Sequence, residues 1–169
     1  MVVARVIEPP APLDFQDHEP TVFLAGSIEM GGAEDWQRDV CAALADLDVV
    51  ILNPRRQAWD ASWEQSSEEP RFVEQVEWEL RGQERAKVIA LYFAPATRSP
   101  ISLLELGLFA RTGKLVVCCP DGFWRRANVE VVCQRYGVAR ARDLADLAGQ
   151  ARARLTAPVH SDGPFTRSR

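Results

Sequence analysis

Apolar residues in this chain fall into short unbroken runs separated by longer stretches with helical period. Runs at residues 21–25 (TVFLA), 48–52 (DVVIL), 87–93 (KVIALYF), 115–119 (LVVCC) and 138–141 predict strands. Near-continuous apolar runs of this length mark parallel strands covered on both faces. Helical spacing predicts helices over about residues 33–47, 70–85, 100–112, 124–136 and 141–155. The alternation predicts an α/β fold: a doubly wound, five-stranded parallel sheet in a flavodoxin-like (Rossmann-like) three-layer sandwich. The core domain is expected over residues 21–156. Residues 1–20, Pro-rich and acidic, read as an extended N-terminal arm, and residues 157–169 as a flexible C-terminal tail. In such folds ligands bind beyond the carboxyl ends of the strands, which here means loops 26–32, 53–69 and 94–99.

The helix expected from Ser99-Pro100 carries the strongest chemical signal. Ser99 suits an N-cap and Pro100 the first helical position. The residues that follow, ISLLELGLFA, are apolar around the whole cylinder, the pattern of a buried helix, with Glu105 as their single ionisable group. A buried carboxylate is costly unless paired. Two readings are open: a strut paired with an Arg, or a nucleophile or acid-base group at the floor of the main cleft. On the helix from Pro70, the residues Phe72, Val73, Val76 and Leu80 form one apolar stripe. Gln75 and Glu79, four apart, sit together on its border. They read either as a solvated polar face or as part of a site. Trp78 falls outside the stripe and needs a cover, for which a second chain is the expectation.

Two loops add weaker signals. The segment Gly26-Ser27-Ile28-Glu29-Met30-Gly31-Gly32 can present backbone N–H groups to an anion or a sugar, but it is neither GxGxxG nor a P-loop. A plain turn into a helix is the simpler reading. The long loop from Asn53 holds Arg55, Arg56, Trp59 and Trp63, which suit stacking on and hydrogen bonding to a planar heterocycle. The same Trp rings also suit stapling the loop to the body.

Composition narrows the classes. Hydrophobic residues at 47% against 26% charged supply a core and exclude a disordered chain. No apolar run approaches the ~20 residues of a membrane span, and the first residues do not read as a signal peptide, so a cytoplasmic protein is expected. Cys41, Cys118, Cys119 and Cys133 lack CxxC spacing and read as reduced, buried thiols. With only His18 and His160, both near the ends, no metal site is expected. The net charge of -4 conceals a division, because residues 1–84 carry -12 and residues 85–169 carry +8. Opposed halves suit electrostatic pairing of two copies, so a homo-oligomer (a dimer or higher) is expected. Nucleic acid is the weaker reading, because the arginines are dispersed and lack interleaved aromatics.

Four segments, FLAGSI at 23–28, NPRRQAW at 53–59, QVEWE at 75–79 and PISLLELG at 100–107, together resemble the nucleoside 2-deoxyribosyltransferase superfamily. That superfamily includes 2'-deoxynucleoside 5'-phosphate N-hydrolases, and the resemblance spans about residues 21–138. It implies that Glu105 is a nucleophile attacking the anomeric carbon, that Glu79 is an acid holding sugar or base, and that a glycosyl-enzyme intermediate passes to a base or to water. It places Gly26, Ser27 and Ile28 near the sugar, implies no cofactor, and implies a neighbouring subunit that helps to close the site. Gln75 and Trp78 are expected to line the pocket, with Arg55, Trp59, Trp63 and Ser99 as further substrate contacts. Three positions depart from the pattern. Phe23 stands where many members carry a Tyr that orients the nucleophile, Glu29 replaces a basic residue used near phosphate, and Lys87 replaces an Asp. A non-catalytic nucleotide-sensing module with the same fold is the alternative reading.

Overall fold

A computed structural model describes residues 3–28, 34–56 and 64–158 of the chain. Its elements run β1 (Arg5–Ile7), β2 (Thr21–Gly26), α1 (Trp36–Leu44), β3 (Val50–Leu52), α2 (Pro70–Arg85), β4 (Val88–Tyr92), α3 (Pro100–Phe109), β5 (Leu115–Cys118), α4 (Arg126–Tyr136), β6 (Ala139–Ala141) and α5 (Leu144–Thr156). All strand pairs are parallel, and the sheet order is β1-β3-β2-β4-β5-β6. The sheet therefore has six strands rather than five. The extra strand comes from the arm, where Arg5, Val6 and Ile7 pair with Val50, Ile51 and Leu52 of β3. Three residues ahead of Pro9-Pro10 show no period of their own; the ladder of β3 makes them a strand.

Alternation along each strand builds two cores. Val22, Leu24, Ile51, Ala90 and Val116 meet Trp36, Val40 and Leu44 of α1 and Leu147, Ala151 and Leu155 of α5. On the other face Phe23, Ala25, Leu52, Ile89, Leu91 and Val117 meet Trp78 of α2, Leu106 and Phe109 of α3, and Val129 and Cys133 of α4. The four cysteines are free, with Cys118 and Cys133 buried and Cys41 and Cys119 partly exposed. Among the described residues no helix is long and apolar enough to cross a membrane.

The arm is bound to the body. Arg85 donates to the carbonyls of Leu13 (2.9 Å) and Phe15 (2.6 Å) and lies 3.9 Å over the Phe15 ring. Trp78 Nε1 donates to the Ala11 carbonyl at 2.8 Å. The cover that Trp78 was expected to take from a second chain is thus supplied by the chain's own arm, and the ring is buried. The expected tail falls mostly on residues 159–169, which lie outside the described residues.

Two helices sit differently from their apolar patterns. The inward face of α2 consists of Gln75, Trp78, Gly82 and Gln83, while Val73 and Val76 of the expected stripe face outward. On α3, Ser102, Glu105, Leu106 and Phe109 are buried, whereas Ile101, Leu104 and Leu108 are more than half exposed. An all-apolar helix was expected to be buried on every side. This one is covered on one side by the sheet, and no other described element lies over the opposite side.

Candidate functional site: a buried carboxylate pair

Strand order reverses between β2 and β4, whose carboxyl ends open the crevice where such sheets bind ligands. The two strands approach closely there. Gly26 has φ +139°, and a Cβ on it would lie 2.2 Å from the Tyr92 carbonyl oxygen, so only glycine fits. The next residue, Ser27, is buried; its N–H donates to the Tyr92 carbonyl at 2.9 Å and its carbonyl accepts from Trp36 Nε1 at 3.0 Å. Its hydroxyl lies 2.5 Å from that of Ser99 and 3.1 Å from that of Thr97, and accepts the Ala94 N–H at 2.9 Å. Ser99 heads α3 but makes no capping bond. Its φ of +44° turns the hydroxyl into this cluster instead, where it meets Thr97 at 2.8 Å.

Ser99, Ser102 and Glu105 recur three apart on α3 and share its inner face, which places Glu105 about 9 Å along the helix from the hydroxyl cluster. There it meets α2. Gln75, Glu79 and Gln83, each four residues from the next, form a polar ladder on α2. Gln75 Nε2 donates to Glu79 Oε1 at 2.7 Å and to the Pro54 carbonyl at 3.2 Å. Gln83 Nε2 donates to Glu105 Oε1 at 2.8 Å. The close seat of α2 on the sheet comes from Gly82, where a Cβ would lie 2.9 Å from the Phe23 ring.

Burial dominates the electrostatics. Glu105, 7% exposed, has its carboxyl pushed up to about 8, first by desolvation and then by the charge of Glu79, with the Gln83 hydrogen bond pulling the other way. Desolvation likewise raises Glu79 to about 7 against the hydrogen bond from Gln75. The charge of Glu79 reaches Glu105, so ionisation of one acid bears on the protonation of the other. Such a pair can offer one carboxylate and one acid together. The strut reading of Glu105 called for a guanidinium, yet its hydrogen-bond partner is an amide.

The structure separates some of the expected contacts. Glu105 is buried between α3 and α2, apart from the surface groove along the arm. That groove, of 810 Å³, runs between the arm and α2, lined by Pro10, Pro12, Leu13, Val73 and Trp78 among others, and does not include Glu105. Trp78 belongs to that groove and to the arm. Ile28 is partly exposed after the hydroxyl cluster. Arg55 is partly buried; its N–H donates to Asn53 Oδ1, and its Nε lies 3.9 Å from Asp35 Oδ1. Trp59, Trp63 and Glu29 fall outside the described residues. Gln83 and Thr97 were not singled out from the sequence. The four-residue step from Glu79 points to Gln83; nothing in the local sequence points to Thr97, whose neighbours come from β2 and the head of α3.

A family model described as nucleoside 2-deoxyribosyltransferase like matches residues 19–123, from just before β2 to just after β5. The chain belongs to the nucleoside 2-deoxyribosyltransferase-like family. The matched span of this family member contains the hydroxyl cluster and both carboxylates, and leaves out β1, α4, β6 and α5. No curated protein matches the chain.

Proposed function

We propose that the protein cleaves or transfers the N-glycosidic bond of a nucleoside-type substrate, with Glu105 as nucleophile and Glu79 as proton donor. The observation that carries this reading is a buried acid, Glu105, and a partly buried one, Glu79, each held by a glutamine amide, in a chain of this family. A Glu105 carboxylate oxygen bonds to the anomeric carbon as the carbon–nitrogen bond breaks. The bonding electrons leave with the base nitrogen, which takes its proton from Glu79. Water or a second base then attacks the glycosyl-enzyme ester, giving up its proton to Glu79 and freeing the Glu105 carboxylate. Gly26, Ser27, Ile28 and Ser99 lie at the sugar end; Gln75 and the Arg55 loop lie at the base end.

We also propose a homodimer or higher oligomer. Its ground is the outer side of α3, where Ile101, Leu104 and Leu108, one helical turn apart, are more than half exposed. A second copy laid on this face covers the helix that carries Glu105.

A second reading rests on one observation: Glu105 is buried, and burial pushes its carboxyl up and favours the neutral form, which suits a nucleotide-sensing module without turnover. Incubation with a panel of ribo- and deoxyribonucleosides and their 5'-monophosphates, followed by chromatography for free base, separates the two. Base release lost in Glu105→Gln supports the enzyme, and binding without release supports the sensor. Near-wild-type release in Glu105→Gln removes Glu105 from the mechanism.

A further inference from the structure

We propose that Gln83 is the positioning residue for Glu105: its amide ties down Oε1, fixes the carboxylate plane, and leaves Oε2 as the attacking oxygen. The inference rests on the nucleophile assigned above. Three observations carry it. Gln83 is 1% exposed, and its Nε2 donates to Glu105 Oε1 at 2.8 Å, the one side-chain hydrogen bond recorded for either group. Its own Oε1 is buried with no hydrogen-bond partner. Gln37, also fully buried, has neither end of its amide met, so what sets Gln83 apart is that its donor is spent on an acid. Here the donor is committed to the acid and the acceptor is left over. Lastly, the β2 residue facing Gly82 is Phe23, whose ring would lie 2.9 Å from a Cβ there and which brings no hydroxyl. Among the described residues, the amide of α2 is the group that holds the carboxylate.

A neutral donor suits this position. An arginine there would neutralise the carboxylate and blunt its attack, whereas an amide favours the ionised form without adding charge. The titratable group acting on Glu105 from the facing helix is Glu79. The strand residues behind it, Phe23, Ala25, Ile89 and Leu91, are apolar. Gln83 is thus the polar counterweight to burial and to Glu79.

The test compares wild type with Gln83→Met, which keeps the length of the side chain and removes the donor. The Glu105 carboxyl stretch is followed by infrared titration of the unliganded full-length protein and assigned with Glu105→Gln. Loss of one hydrogen bond to a charged group moves that titration upward by about one to two pH units. In base release from the fastest nucleoside of the panel, kcat falls about tenfold or more, KM stays within about threefold, and the acid limb of the pH profile moves with the infrared titration. An unchanged titration overturns the proposal even if activity falls. If the wild-type protein turns over no nucleoside, the nucleophile reading fails while the titration still decides whether Gln83 holds Glu105. Should Gln83→Met not fold, amide spectra of glutamine-labelled wild type replace it. A side-chain resonance that steps at the Glu105 titration and is absent from Glu105→Gln supports the role, and the lack of any such step overturns it.

Discussion

Replacing Glu105 by Gln should make the protein more stable in alkaline solution while destroying its chemistry. The folded-state carboxyl lies at about 8, raised from an ordinary 4.5 by burial and by Glu79. In the unfolded chain it ionises near the ordinary value. Its contribution to stability is therefore fully present below about pH 4.5 and is lost as pH rises through about 8. A shift from 4.5 to about 8, at about 1.4 kcal/mol per unit, sets a ceiling of about 5 kcal/mol on that loss. Water entering the seam once the acid ionises relieves part of it, so about 3–5 kcal/mol is the expectation. That is a large share of the 5–15 kcal/mol typical of a domain. Gln reproduces the shape of the neutral acid and still accepts from Gln83, so the variant should lie within about 1 kcal/mol of wild type at pH 5. Urea unfolding of both proteins at pH 5 and pH 9, followed by tryptophan fluorescence, measures this difference directly. An advantage for Glu105→Gln that is the same at both pH values would refute the reasoning, because burial would then not be opposing the charge.

The same pair should give base release a bell-shaped pH profile, rising as the first carboxyl ionises and falling as the second does. A flat profile from pH 5 to 9 would count against shared protonation. Trp78→Ala should cost about 3–5 kcal/mol, since it removes a buried ring and the bond to Ala11; a loss below about 1 kcal/mol, read from urea midpoints, would mean that the arm holds without it. Light scattering should report the mass of at least two chains, and Leu104→Glu on the outer side of α3 should reduce it to one; a wild-type mass of one chain at low and high salt would remove the oligomer. With Glu29 in the loop after β2, a nucleoside should be preferred over its 5'-monophosphate; a tenfold preference for the monophosphate, about 1.4 kcal/mol, would reverse that expectation.

The central strands were legible because each is buried on both faces and reads as an apolar run. Pro100 and the lone charge among the apolar residues of α3 likewise singled out Glu105 correctly as a buried acid. What failed was orientation. The stripe Phe72, Val73, Val76 and Leu80 looked like the inner face of α2, since apolar surface normally turns inward. In the fold the ladder Gln75, Glu79 and Gln83 faces inward because it has partners there, the Pro54 carbonyl and Glu105, that lie far away in sequence. Ser99 misled in a similar way. It has the chemistry of an N-cap, but its left-handed backbone, set by the loop before it, sends the hydroxyl to Ser27. β1 could not be read at all, because its pairing partner alone defines it.

The inversion of α2 also explains the arm. A helix that turns Gln75, Glu79 and Gln83 inward gives up much of the apolar burial that would normally fasten it to a sheet. Two contacts replace what is lost. Gly82 lets the backbone settle against Phe23 and Leu52, and Trp78 brings one large ring to the edge of the core. That ring would stand open to water if residues 9–15 were not folded over it. Arg85, one helical turn past Gly82, holds the arm in place through the carbonyls of Leu13 and Phe15. The arm lies outside the matched family span except for its last residues, yet it binds α2 at both Trp78 and Arg85. Burial is the first cause that raises both carboxyls. The arm therefore bears on the site through the seating of the helix that carries Gln75, Glu79 and Gln83, by way of Trp78 and Arg85.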